Sequence, residues 1–320
     1  MTPRPWLDPA WRVLADALGS GRIHHALLFG GPRGYGKRAL ADAFAAAALC
    51  PQRTPDGHAC GTCRSCRLVA AGSHPDLVRV TFEIRDDGRP RSELTVDQMR
   101  ALGQRLALAS QFGGWQIAIV DPADAMNPSA ANALLKTLEE PASATVIVLV
   151  ADDPSRLPAT IRSRCQRIGL ASPTRGEALA WLRSREIDAD SAARALEASL
   201  DNPGQAADWI GDGALAVRAE CLADLTALSA SRVRATAVAE RWAADRPDVR
   251  LWFAAVLARE EARNLACGRQ GPLGLTAPAE IPKLAAWFGR ANRARALLST
   301  TLRAELVLLD LLRGWPARST

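Results

Sequence analysis

Short apolar runs alternate with amphipathic stretches along the first half of the chain. Ala26-Leu27-Leu28-Phe29 and the segments 115–120 and 145–150 are apolar runs of strand length, each followed by turn or Gly/Pro residues. Such runs mark strands covered on both faces. Val78-Arg79-Val80-Thr81 is a weaker fourth candidate, and residues 96–109 and 130–138 repeat their apolar positions at the helical period. Strands and helices in alternation predict an α/β fold, a parallel sheet covered by helices. The pattern changes at Ala171-Ser172-Pro173, after which Ala, Leu, Arg and Glu dominate and only helices are expected. Breaks at Asp201-Asn202-Pro203-Gly204 and Asp212-Gly213 divide the chain into an α/β domain (1–170), a small helical domain (171–212) and a helical C-terminal domain (213–320). In the last, residues 291–312 carry apolar side chains at helical spacing among Arg293, Arg295 and Arg303, a stripe that suits either a partner helix or the internal core. Trp242, Trp252 and Trp287 are expected to anchor that core.

Length agrees with more than one domain, since 320 residues exceed what a single core organises. A chain that is 48% hydrophobic and 23% charged is neither collagen-like, disordered nor a coiled coil. No stretch approaches the ~20 apolar residues of a membrane span, and Met1-Thr2-Pro3-Arg4-Pro5-Trp6 lacks the order of a signal peptide, so a cytoplasmic location is expected. The net charge of +6 permits contact with nucleic acid, but no long basic run concentrates it. Nearly all the basic residues are Arg, with Lys only at 37, 136 and 283, so Lys37 stands out from its background.

Lys37 lies in Gly31-Pro32-Arg33-Gly34-Tyr35-Gly36-Lys37-Arg38, which follows the first strand and opens a helix at 39–49. This is a G-x-x-x-x-G-K phosphate loop, with Gly31, Gly36 and Lys37 as the candidate phosphate-binding residues. Arg38 stands where Mg²⁺ coordination needs Ser or Thr, so the alternative is an inherited turn that no longer holds ATP and Mg²⁺. The strand at 115–120 leads into Asp121, which suits a metal-orienting carboxylate or a plain turn residue. Pro122 follows where an ATPase needs its water-activating acid, and Asp124 is too far along the turn to replace it. Cys50, Cys60, Cys63 and Cys66 form C-x9-C-x2-C-x2-C in a polar loop, the donor set of a closed tetrahedral Zn²⁺ site; free or redox thiols are the alternative. Four protein ligands leave no open position, so the metal is expected to be structural. His58 or His74 could replace one Cys as a ligand, with a plain surface histidine as the alternative for each, and Cys165, Cys221 and Cys267 are read as buried small apolar residues. Arg164, in Ser163-Arg164-Cys165, follows the strand at 145–150 and suits either a solvated surface charge or a group reaching outward to a phosphate held by a neighbouring subunit.

The phosphate loop, the four cysteines, Asn132-Ala133-Leu134-Leu135-Lys136-Thr137-Leu138-Glu139-Glu140-Pro141 and Ile161-Arg162-Ser163-Arg164-Cys165 together resemble a bacterial clamp-loader subunit of the AAA+ class. His24-His25-Ala26-Leu27-Leu28 and Gly72-Ser73-His74-Pro75-Asp76 extend the resemblance, which is strong over residues 20–170 and architectural beyond. It implies an AAA+ module, a helical lid and a helical collar through which five subunits form an open ring. It also implies gamma or tau and delta subunits as partners, and contact with the sliding clamp and primer-template DNA through the assembled complex of a replicative DNA polymerase. In this family the Ser-Arg-Cys motif is an arginine finger, which places Arg164 beside ATP on an adjacent gamma or tau subunit. Arg38, Pro122, Ala151-Asp152 in place of a γ-phosphate-sensing Thr, and Pro203-Gly204-Gln205 in place of a second sensor Arg depart from the hydrolysing members. These departures imply a non-catalytic stator. An active gamma/tau-type ATPase and a zinc-containing DNA-binding module are the alternatives.

Overall fold

The structure is a computed structural model and describes residues 4–85, 87–275, 278–298 and 302–316. It divides into two compact units, 1–186 with 202–205, and 187–201 with 206–320.

The first unit contains α1 (Asp8–Gly19), β1 (Ala26–Gly30), α2 (Lys37–Leu49), α3 (Arg64–Ala70), β2 (Leu77–Val80), α4 (Val96–Leu106), β3 (Gln116–Val120), α5 (Pro128–Glu139), β4 (Thr145–Ala151), α6 (Ala159–Arg162), β5 (Gln166–Ile168) and α7 (Arg175–Arg183). The five strands form one parallel sheet in the order β2-β3-β4-β1-β5. All of β3 and β4 and the first four residues of β1 are buried, as their unbroken apolar runs predict. Strand periodicity sorts these side chains between two faces. Ala26, Leu28, Ala118, Val120, Ile147 and Leu149 pack on Met99 and Leu102 of α4 and Leu134 and Leu138 of α5. Phe29 points the other way and meets Phe44 of α2 edge-on, with ring centroids 6.5 Å apart. The α4 N-terminus is closed by a capping box between Thr95 and Gln98, and Asn127 caps α5 by accepting from Ala130 N at 2.9 Å.

Because the sheet is parallel, β1, β3 and β4 end at the same edge. Gly30, Val120 and Ala151 are their last residues, and β4 lies between the other two. The phosphate loop, Asp121 and Asp152 therefore converge at the carboxyl edge, where α/β sheets bind ligands.

The second unit is helical, with α8 (Ala189–Ala198), α9 (Pro203–Gly211, whose first turn belongs to the first unit), α10 (Ala214–Ser229), α11 (Ala235–Ala244), α12 (Pro247–Ala266), α13 (Glu280–Leu297) and α14 (Ala304–Arg313). Trp242 and Trp287 are fully buried in its core, and Trp252 is partly buried against it. The stripe at 291–312 belongs to two helices, since α13 ends at Leu297 and α14 begins at Ala304. No helix among the described residues is long and apolar enough to cross a membrane.

Asp76 ties the sheet to the loop before β3. Its carboxylate, almost fully buried, accepts from Gln111 N at 2.8 Å, Phe112 N at 3.0 Å and Ser110 Oγ at 3.1 Å. Asp76→Ala leaves two amides without an acceptor and is expected to destabilise this unit by about 2–4 kcal/mol. Hydrogen exchange at 110–112 and the midpoint of chemical unfolding measure the loss, with Asp76→Asn intermediate; equal protection in all three proteins would make the cap energetically idle.

Candidate functional site

The phosphate loop has the backbone its glycines predict, with positive φ at Gly31, Gly34 and Gly36, and Gly36 capping α2. Lys37, 1% exposed, donates from Nζ to Gly31 O at 2.8 Å and pairs with Asp152. Arg38 spans the two neighbouring strand ends. Its Nε donates to Asp121 Oδ2 at 2.8 Å, and its two terminal nitrogens fork onto both oxygens of Asp152 at 3.1 and 3.2 Å. The residue that reads in sequence as a missing hydroxyl is thus the centre of an ion-pair network.

The electrostatics follow from that network. Burial lowers the pKa of Lys37, against the opposing pull of Asp152. At Asp152 burial pushes upward, but the hydrogen bonds and charges of Arg38 and Lys37 outweigh it and hold the carboxyl below its ordinary value. At Arg38 the two carboxylates likewise overcome burial and raise the guanidinium. Asp124 takes no part in this charge cluster. Its carboxylate accepts from the backbone of Asp152 at 3.2 Å and Asp153 at 2.9 Å, a structural duty that fixes the turn after β4.

The loop is also closed by packing. Trp6 Nε1 donates to Tyr35 O at 2.8 Å, and Asn202 Nδ2 donates to Arg33 O at 2.7 Å. A Cβ on Gly204 would overlap the carbonyl of Gly34, so no side chain fits that position without moving the loop.

Cys50, Cys60, Cys63 and Cys66 come together with their four Sγ atoms within 4.8 Å of one another. Cys50 to Cys63 and Cys60 to Cys66 are each 3.9 Å, close to the edge of about 3.8 Å of a tetrahedron with ~2.3 Å metal–sulfur bonds. Backbone amides point at the sulfurs: Gln52 N and Cys60 N at Cys50, Cys63 N at Cys60, and Cys66 N at Cys63, each at 3.4 Å. The backbone hydrogen bonds of Thr62 and Cys63 bring the Cys60 thiol down to about 6, while burial pushes Cys66 up to about 12. The donor set fits one tetrahedral metal ion, whose charge would favour the thiolate at the buried position. His58 is not among the donors; it stacks on Trp11 at 4.1 Å. His74 is not a surface residue, because it is buried, bonds to Ser65 Oγ at 2.8 Å and accepts from Asp76 N. Cys165 and Cys221 are buried as expected, whereas Cys267 is exposed at the end of α12.

Arg164 follows α6 on a turn whose three motif residues divide the work. Cys165 is buried in the core, Ser163 Oγ donates to Thr160 O, and Arg164 emerges with a side chain 38% exposed. Its guanidinium donates to Thr160 O at 2.9 Å and pairs with Glu139 at 2.7 Å, at the rim of a cleft of about 420 Å³ shared with His24 and His25. Glu139 was visible in sequence only as part of a motif; its pairing with Arg164 is a tertiary fact.

Residues 6–174 match the family model described as DNA polymerase III, delta subunit. The chain is 38% identical over 242 residues to the DNA polymerase III subunit delta-prime of Pseudomonas aeruginosa, covering 74% of this chain and 70% of that protein. With the Escherichia coli subunit of the same name it shares 40% over 205 residues, 63% of this chain and 59% of that one. Among solved structures, a DNA polymerase III gamma subunit-related protein from Thermotoga maritima aligns over 95% of this chain and 97% of its own, at 16% identity and a TM-score of 0.44.

Proposed function

Because the chain belongs to the DNA polymerase III delta-prime family, we propose that it is a non-hydrolysing ring subunit of a bacterial clamp loader. In this reading it assembles with gamma or tau and delta subunits in the cytoplasm and helps place the sliding clamp on primed DNA. It lends Arg164 to the ATP of an adjacent gamma or tau subunit and acts as the stator of the ring. The first 170 residues are the AAA+ module, 171–212 the lid, and 213–320 the collar that holds the ring together. Zinc at Cys50, Cys60, Cys63 and Cys66 staples the loop and takes no part in catalysis.

The contrast between the two basic sites carries this reading. Lys37 and Arg38 are engaged by Asp121 and Asp152 within the chain, beside a loop that lacks the Mg²⁺-binding hydroxyl and the water-activating acid. Arg164 is about as exposed as Arg38, 38% against 39%, but it stands on a short turn with a single carboxylate partner among the described residues, Glu139, that is itself 49% exposed. A trans-acting arginine requires that placement. The test is DNA- and clamp-stimulated ATP hydrolysis by a complex reconstituted from this chain with gamma or tau and delta, comparing wild type with Arg164→Ala. ATP turnover by the purified chain alone would instead favour a gamma/tau-type ATPase, and steeply salt-dependent DNA binding by the chain alone would favour a DNA-binding module.

A further inference from the structure

We propose that the Asp152 carboxylate is a built-in anion, seated where a phosphate would meet Lys37, and that removing its charge exposes a binding site for a free polyphosphate. The glycine backbone, an α2 N-terminus with no side-chain cap and a buried lysine are all present, so the loop retains the parts that recognise phosphate. What has changed is the occupant. Asp152 faces Lys37 and takes both prongs of the Arg38 fork, so one carboxylate meets the two cations a phosphate group would otherwise meet.

Asp152 is also held in that position by a second set of contacts. Asp124, nearly buried, accepts from the amides of both Asp152 and Asp153 and fixes the turn that carries the carboxylate. The Asp152 side chain is therefore delivered by its backbone and does not reach the loop by chance. An incoming anion must displace it. The apparent affinity falls by the fraction of molecules in which the seat is free, and taking away the internal competitor restores that factor. The chemical class is a small anion with several phosphate oxygens, since Asn202 and Gly204 already pack on the Arg33-Gly34 side of the loop.

Inorganic pyrophosphate is the probe, titrated calorimetrically into the full chain. Asp152→Asn keeps the shape and removes the charge, and it is expected to bind at least about tenfold more tightly than wild type. That gain should weaken with salt and disappear when Lys37→Met is added. Equal affinity of wild type and Asp152→Asn overturns the proposal, as does a gain that survives Lys37→Met. Far-ultraviolet circular dichroism and melting verify that each variant is folded; Asp152→Ser serves in the same titration if Asp152→Asn is not. The outcome is independent of Arg164, because the titration uses the isolated chain, so this proposal and the arginine finger can fail separately.

Discussion

Arg164→Ala is expected to lower ATP hydrolysis at the one site this subunit serves by about 10³-fold or more, the scale of trans-acting arginines in other phosphoryl-transfer systems. Steady-state turnover of the reconstituted complex then falls to whatever its other sites sustain, so the first turnover on primed DNA is the more direct reading. The structure separates this loss from a folding defect. Arg164 and Glu139 form a partly exposed pair, worth at most about 1 kcal/mol to the fold. The core contact of the motif is made by Cys165, which the substitution leaves alone. The variant should therefore assemble as wild type does and melt within a few degrees of it. Unchanged first-turnover hydrolysis in an assembled complex would reduce Arg164 to a surface charge and remove its assignment as a finger.

The second large effect concerns the metal. The purified chain is expected to carry one zinc per molecule, and Cys60→Ser or chelation should release the loop around it. Few other contacts tether the tip of that loop. Trp11 donates to Asp56 O at 3.0 Å and stacks on His58, together about 1–3 kcal/mol. Structural zinc in small peptides contributes about 10–16 kcal/mol in apparent binding energy. The metal thus dominates the local balance. Removing it should open the bonds after Arg53, Arg64 and Arg67 to trypsin while leaving the sheet folded, since the cluster that joins the strands to α4 and α5 contains none of the four cysteines. Cys60→Ser with full zinc content and unchanged proteolysis would sink the metal reading.

The strands that form the middle of the sheet were legible because burial on both faces demands continuous apolar runs, and β1, β3 and β4 supply them. β5 was missed because Gln166-Arg167-Ile168 is a short edge strand with two exposed polar residues. The helix predicted at 96–109 ends at Leu106, ahead of the turn that Asp76, far away in sequence and just before β2, holds. The stripe at 291–312 keeps its period through the interval between α13 and α14, so periodicity alone could not divide it. At the candidate site, spacing along the chain revealed the four cysteines because zinc ligands are close in sequence. It did not reveal the partners of Arg38, which lie 83 and 114 residues away. A long-range ion pair leaves no periodic trace, which is why Arg38 read as a defect and not as a bridge.

The strand order also has a consequence in time. β1 lies between β4 and β5, yet in sequence it precedes the end of β4 by roughly 120 residues, or about 6–24 s of synthesis at 5–20 residues per second. Throughout that interval the nascent chain holds an apolar strand with neither neighbour available. The cysteine loop, complete by residue 66, needs only local closure and can take up its metal well before the sheet's centre is assembled. A ribosome-bound chain of this protein would thus carry a finished staple beside an unfinished sheet, and Leu27, Leu28 and Phe29 are the residues a chaperone would find there.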